Sequence, residues 1–246
     1  MEAKSLPSSR NTDPEVSATG ARYLEAIYYI AHEGEAVRPS RLADWLGVSP
    51  PTVTGVVQRM RDQGLIGIQP DHSLVLAAAG AAAASQIVRR HRVVERWLSD
   101  EMGLDWAAAD QEAGRISHAF SDDLINRLLV KLGSPATCPH GNEIPGVPPP
   151  ARRLVNLADL APGVTAPISR VSEVAEHEAP QLLSLLEQEG LKLGVEVAVL
   201  RSAGSEALTV LRGDHRTALG LGAAQAVWVD VSLQGPGAVR RDPGAL

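Results

Sequence analysis

The sequence predicts a mainly α-helical chain that opens with a winged helix-turn-helix and closes with a small β domain. Three observations carry this. Apolar residues recur at helical spacing in three short segments between Gly20 and Met60. Two short apolar runs flank the turn-forming Gln69-Pro70-Asp71-His72. Beyond about Asp159 the chain breaks into brief apolar runs punctuated by Gly and Pro, with one helix around Ala179 to Gly190.

The elements follow in order. Tyr23, Leu24, Ile27, Tyr28 and Ile30 mark a first helix, closed by Gly34. Pro39 and Ser40 open a second, with Leu42, Trp45 and Leu46 on one face and Gly47 as its stop. Ser49 is a good N-cap, the two prolines after it suit a first turn, and Val53, Val56, Val57 and Met60 form the buried stripe of a third helix. The runs at Leu65–Ile68 and Ser73–Leu76 read as a hairpin, the wing. A long Ala-rich helix then begins near Ala77 and runs to about Gly103, followed by helical segments at about Trp106–Ala119 and Ser121–Leu132. CPHGNEIPGVPPPARR has no periodicity and reads as a linker or extended arm.

Composition narrows the function. With 246 residues, 21% charged and 44% hydrophobic, the chain has the make-up of a globular protein and the length for two modest domains or one large one. No apolar run approaches a membrane span, and the polar N-terminus lacks a signal-peptide core, so a cytoplasmic location is expected. The lone Cys138 excludes an intrachain disulfide and a CxxC-type thiolate site, which leaves His, Asp and Glu as the expected metal ligands. No nucleophile elbow, phosphate loop or HExxH motif is present, so a regulator is expected and not an enzyme.

In a helix-turn-helix the second helix enters the major groove, and its first turns reach base edges. Ser49, Pro51, Thr52 and Gly55 are the expected groove-facing set, with Pro and the Thr methyl suited to thymine methyl groups. Arg41, Arg59 and Arg61 are expected to hold phosphates. The net charge is −6, and between Gly20 and His72 acidic residues slightly outnumber arginines. Affinity is therefore expected to depend on a dimer that engages two half-sites.

The segments YLEAIYYI, RLADWLGVSPPTVTGVVQRMRDQGLI, RRHRVVERWL, EAGRISHAFSDDL and CPHGNEIPG together resemble the diphtheria toxin repressor family. The resemblance implies repression activated by iron(II) or manganese(II), a homodimer on palindromic operators and a C-terminal SH3-like domain. The divisions it suggests are a tail to residue 17, a winged-helix module 18–76, and a helical dimerisation and metal-binding domain 77–146. A Pro-rich linker 147–158, an SH3-like domain 159–234 and a tail 235–246 follow.

It also implies two neighbouring metal sites. His91 and Glu95 lie four apart on one helix face and can converge on an ion. The resemblance adds Asp110, where the family usually has His, and Glu178 and Gln181 from the SH3-like domain, with His177 the nearest competitor. The other site is degenerate: its ligand positions fall on Arg22, Gly114 and Ser117, and only His118 remains. The alternative expectation is a metal-independent winged-helix regulator in which Arg22 supplies the missing positive charge.

Overall fold

The computed structural model describes residues 16–201 and 207–239; the expected tail before Val16 and the chain beyond Val239 lie outside these. The chain divides into two compact units near Ala84.

The first unit is the winged helix. Helices α1 (Ala18–His32), α2 (Pro39–Leu46) and α3 (Pro50–Asp62) precede a hairpin of β1 (Ile66–Ile68) and β2 (Leu74–Leu76), paired antiparallel with Ile66 opposite Leu76. Leu24, Ile27, Ile30, Leu42, Val53, Met60 and Leu65 are all buried. Each such side chain contributes about 1.5–3 kcal/mol on leaving water. Helix α4 (Ala78–Asp100) follows the hairpin directly. Its Gly80 is required by close approach: a Cβ there would lie 1.9 Å from the Leu65 carbonyl oxygen.

The second unit holds the rest of α4, then α5 (Trp106–Ile116), a single 3-10 turn at Ser117–Ala119 and α6 (Asp122–Lys131). Val93, Val94, Leu98, Ala109, Ala113, Ile125, Leu129 and Ile144 form its helical core. The β domain is a six-stranded antiparallel sheet. Its strands are β3 (Leu154–Asn156), β4 (Thr165–Val171), β5 (Glu196–Arg201), β6 (Ala207–Arg212), β7 (His215–Gly220) and β8 (Val227–Asp230), in the order β3-β8-β4-β5-β6-β7. Helices α7 (Glu173–Glu178) and α8 (Gln181–Gln188) follow β4; α8 falls where the sequence pattern suggests a helix, and α7 is an additional one before it. Ser172 caps α7 through the Ala175 N–H, and Pro180 immediately precedes α8.

Three stretches differ from the sequence reading. Residues 136–144 are folded, with Cys138, His140, Asn142 and Ile144 all buried, because the backbone pairs with itself at Thr137 and Glu143. Strand β3 forms within the stretch read as linker, since Leu154–Asn156 pairs with β8. Ala238, in the stretch read as tail, is buried, and its carbonyl accepts from the Ala161 N–H. Among the described residues no helix is long and apolar enough to cross a membrane.

Candidate metal centre and DNA-reading face

Helix α4 aims two chemistries in different directions. His91 Nε2 lies 3.1 Å from Asp110 Oδ1 of α5, at a partly exposed position. One turn on, Glu95 is 2% exposed and faces the loop that carries Cys138 and His140. Glu95, Cys138 and His140 each offer a ligand atom within 4.8 Å of the other two, all buried. From α7 the Glu176 carboxylate reaches to 3.5 Å from His140 Nδ1.

The loop is held by its own sequence. A Cβ at Gly141, whose φ is +85°, would stand 2.1 Å from the Ser169 carbonyl oxygen, so only glycine lets the loop lie against β4. The Val171 N–H donates to the His140 carbonyl, and Asn142 Nδ2 donates to the Val171 carbonyl. The His140 backbone N–H points at Cys138 Sγ at 3.4 Å, and the Trp106 ring meets the imidazole edge-on at 5.1 Å.

These side chains are under-satisfied. Glu95 Oε1 stands 2.6 Å from His140 Nδ1, yet no donor is aligned on it. Glu176 Oε1 and His140 Nε2 are likewise buried without a hydrogen bond. A buried polar atom without a partner costs about 1–3 kcal/mol, so three in one cluster call for a missing partner. Convergent lone pairs on a carboxylate, an imidazole and a thiol are the donor set of a divalent transition metal.

The charges agree. Burial pushes the Cys138 thiol up to about 12, with the Glu95 carboxylate adding to the effect. Burial would lower His140, but Glu95 and then Cys138 outweigh it and hold the ring well above its ordinary value. Burial, with Glu173, Glu95 and Asp110 nearby, raises Glu176 well above the usual carboxylate range. Asp110, though desolvated, is held below that range by His91. The cluster thus concentrates acid groups and holds protons in place of a cation.

Beside it, Arg92 is fully buried. Its guanidinium donates to both Glu173 oxygens, at 2.7 Å from Nη2 and 2.9 Å from Nε, and to the Glu143 carbonyl. The pair joins α4 to the first turn of α7. It fixes the element that presents Glu176.

The expected ligands are therefore only partly brought together. His91 and Asp110 meet; Glu95 joins a different group; Glu178 and Gln181 are exposed at the end of α7 and the start of α8. His118 is exposed on its 3-10 turn, and a Cβ at Gly114 would lie 4.0 Å from His91 Cε1. Sequence reasoning set Cys138 aside because paired-cysteine sites need two thiols; a mixed site needs one. The signal available was Cys-Pro-His, two soft ligands two residues apart beside a glycine.

In the first unit, Ser49, Pro51, Thr52, Gly55, Arg59 and Arg61 are all exposed on or beside α3. Ser49 Oγ accepts from the Thr52 N–H and lies 2.8 Å from Thr52 Oγ1, so these two act as a cap in the free protein. Arg41 is less available: Nε donates to Glu35 at 2.9 Å, and the guanidinium sits 5.4 Å from the centre of the Trp45 ring.

Comparison with known proteins places these features. Residues 15–74 match the N-terminal DNA-binding domain of iron-dependent repressors, 77–146 their metal-binding and dimerisation domain, and 155–231 the FeoA domain. The chain is 34% identical over 227 residues to the iron-dependent repressor IdeR of Mycobacterium tuberculosis, covering 88% of this chain and 98% of that protein. It is 32% identical over 196 residues to the diphtheria toxin repressor of Corynebacterium diphtheriae, covering 76% and 86%. Among solved structures it is similar to a manganese-dependent transcriptional repressor in complex with manganese, with 33% identity, a TM-score of 0.75 and coverage of 85% of this chain and 98% of that one. IdeR of T. acidophilum gives 25% identity and a TM-score of 0.71, with coverage of 87% and 98%.

Proposed function

The chain belongs to the diphtheria toxin repressor family of iron- and manganese-dependent regulators, and we propose that it senses its ion at the buried Glu95, Cys138 and His140 cluster, with Glu176 beside it. It is a metal-dependent, DNA-binding transcriptional repressor that works as a homodimer on operator DNA. Its place of action is the cytoplasm, where the operators are, and its role is regulatory, not catalytic.

The observation that carries the metal assignment is the set of orphaned buried atoms on Glu95, His140 and Glu176. A divalent ion held there would supply positive charge beside the Glu95 and Glu176 carboxylates. Glu95 orients from α4, Cys138 and His140 from the loop on β4, and Glu176 from α7. Arg92 and Glu173 hold α7 against α4. Trp106 covers the imidazole, limiting water. A thiolate donor favours iron(II) over manganese, whereas the carboxylates accept either.

The His91–Asp110 pair supports a second, more exposed site, completed by Glu178 and Gln181. The degenerate positions Arg22, Gly114, Ser117 and His118 supply no comparable donor set, and His118 is not assigned as a ligand. The deciding experiment titrates iron(II) and manganese anaerobically into the full chain and its variants, following ion binding and operator binding together. Cys138→Ser and His140→Ala are expected to abolish tight binding and ion-dependent operator binding, while His91→Ala weakens one further, lower-affinity event. Unchanged binding in both loop variants would overturn the assignment.

A further inference from the structure

Glycine is the poorest helix former after proline, and inside a helix it needs a reason. Within the long helices, glycine elsewhere has a neighbour. A Cβ at Gly80 would strike the Leu65 carbonyl, one at Gly20 would come within 3.2 Å of Val16 Cγ1, and Gly114 stands beside His91. Gly55, near the middle of α3, is different: a Cβ there would meet nothing within 4 Å. Nothing in its own unit fills the space.

The position gives the reason. Val53, Val56, Val57 and Met60 take the buried face of α3. Gly55 lies on the opposite, exposed face, four residues after Pro51, three after Thr52 and four before Arg59. Arg59 folds back along the helix, its Nε donating to the Gly55 carbonyl at 3.2 Å. The result is a gap in the row of side chains on the reading surface, between Pro51 and Thr52 along the helix on one side and Arg59 on the other. Residue 55 itself offers no side-chain donor or acceptor.

We infer that Gly55 is a specificity-determining gap that admits a thymine methyl group in the major groove. Of the groups that base pairs present in that groove, the C5 methyl of thymine is the one recognised by apolar contact, not by hydrogen bonding. A gap bare of any side chain of its own leaves room for it. A side chain of any size at residue 55 would occupy the same volume. Selection at this position therefore rests on shape, and it keeps a residue that the free protein would be more stable without.

The inference rests on the repressor reading, and the test separates the two. Full-length, manganese-loaded protein selects duplexes from a randomised pool, and the selected duplex is then scanned by replacing each thymine with uracil, which removes only the methyl. The wild type is expected to lose about fourfold in affinity at one position per half-site, the worth of one buried methyl, or about fifteenfold when both half-sites of a dimer are changed. Gly55→Ala is expected to bind the thymine duplex more weakly, to lose the thymine-to-uracil difference at that position alone, and to melt about 2–4 °C higher. A merely structural role for Gly55 predicts neither the position-specific loss nor a gain in Tm. Gly55→Ala binding with wild-type affinity, or keeping the uracil penalty at every position, overturns the inference while leaving the repressor intact. Failure of the wild type to select any sequence overturns both.

Discussion

Binding of the regulatory ion should expel protons, and their number can be worked from the site. In the free protein, burial, reinforced by Glu95, places the Cys138 thiol at about 12, so at neutral pH it is S–H. His140 faces Glu95 from α4, Glu176 from α7 and Cys138 from its own loop; burial would lower it, but Glu95 and then Cys138 outweigh that and hold it well above its ordinary value, on the protonated side at neutral pH. Both groups ligate only after losing a proton. Two protons per ion are therefore expected at about pH 7, and a third if Glu176, whose hold on its proton is strengthened by burial and by its acidic neighbours, also gives one up. The sign follows. The free state holds more protons than the bound state, so apparent affinity rises with pH, by about two decades per pH unit while both groups remain protonated. Calorimetric titration of anaerobic iron(II) in buffers of different ionisation enthalpy counts the protons directly. Cys138→Ser should remove one, and Glu176→Gln should separate a count of three from two. Release of less than about one proton per ion, with affinity independent of pH, would refute the reasoning.

Three further outcomes are expected. Arg92→Met leaves the largely covered Glu173 without its partner and should cost about 3 kcal/mol in thermal or urea unfolding, whereas Arg92→Met with Glu173→Met should recover most of it. Gly80→Ala should destabilise the chain by several degrees in Tm, because its Cβ has no room against the Leu65 carbonyl, the opposite sign to Gly55→Ala. Arg61→Ala should lower the salt dependence of operator binding by about one phosphate per half-site; Arg41→Ala should change it less, since Glu35 already neutralises that guanidinium.

Much of this was legible in the sequence where structure is local. The N-cap at Ser49, the stop at Gly47 and the 3.6-residue stripe of α3 each act within a few residues, and they specify the winged helix. The metal centre was harder. His91 and Glu95 do share a face of α4, but residues four apart are offset by about 40° around the axis. On a helix wedged between α5 and a loop, that offset sends one side chain to Asp110 and the other to His140. Cys138 and His140 sit in a stretch without periodicity, and nothing local indicates that Gly141 lets it nest on β4. Their burial comes from long-range packing.

The candidate donors Glu95, Cys138 and His140 come from α4 and from the loop before the β domain, and Glu176 of α7 lies 3.5 Å from His140, three stations well separated along the chain. An ion at their meeting point would be a reversible cross-link between distant parts of the polymer, and such a tie gains stability from the loops it closes. It also sets an order of events during synthesis. A growing chain presents its DNA-reading helix early and its first donor soon after, but cannot complete the cage until α7 has left the ribosome.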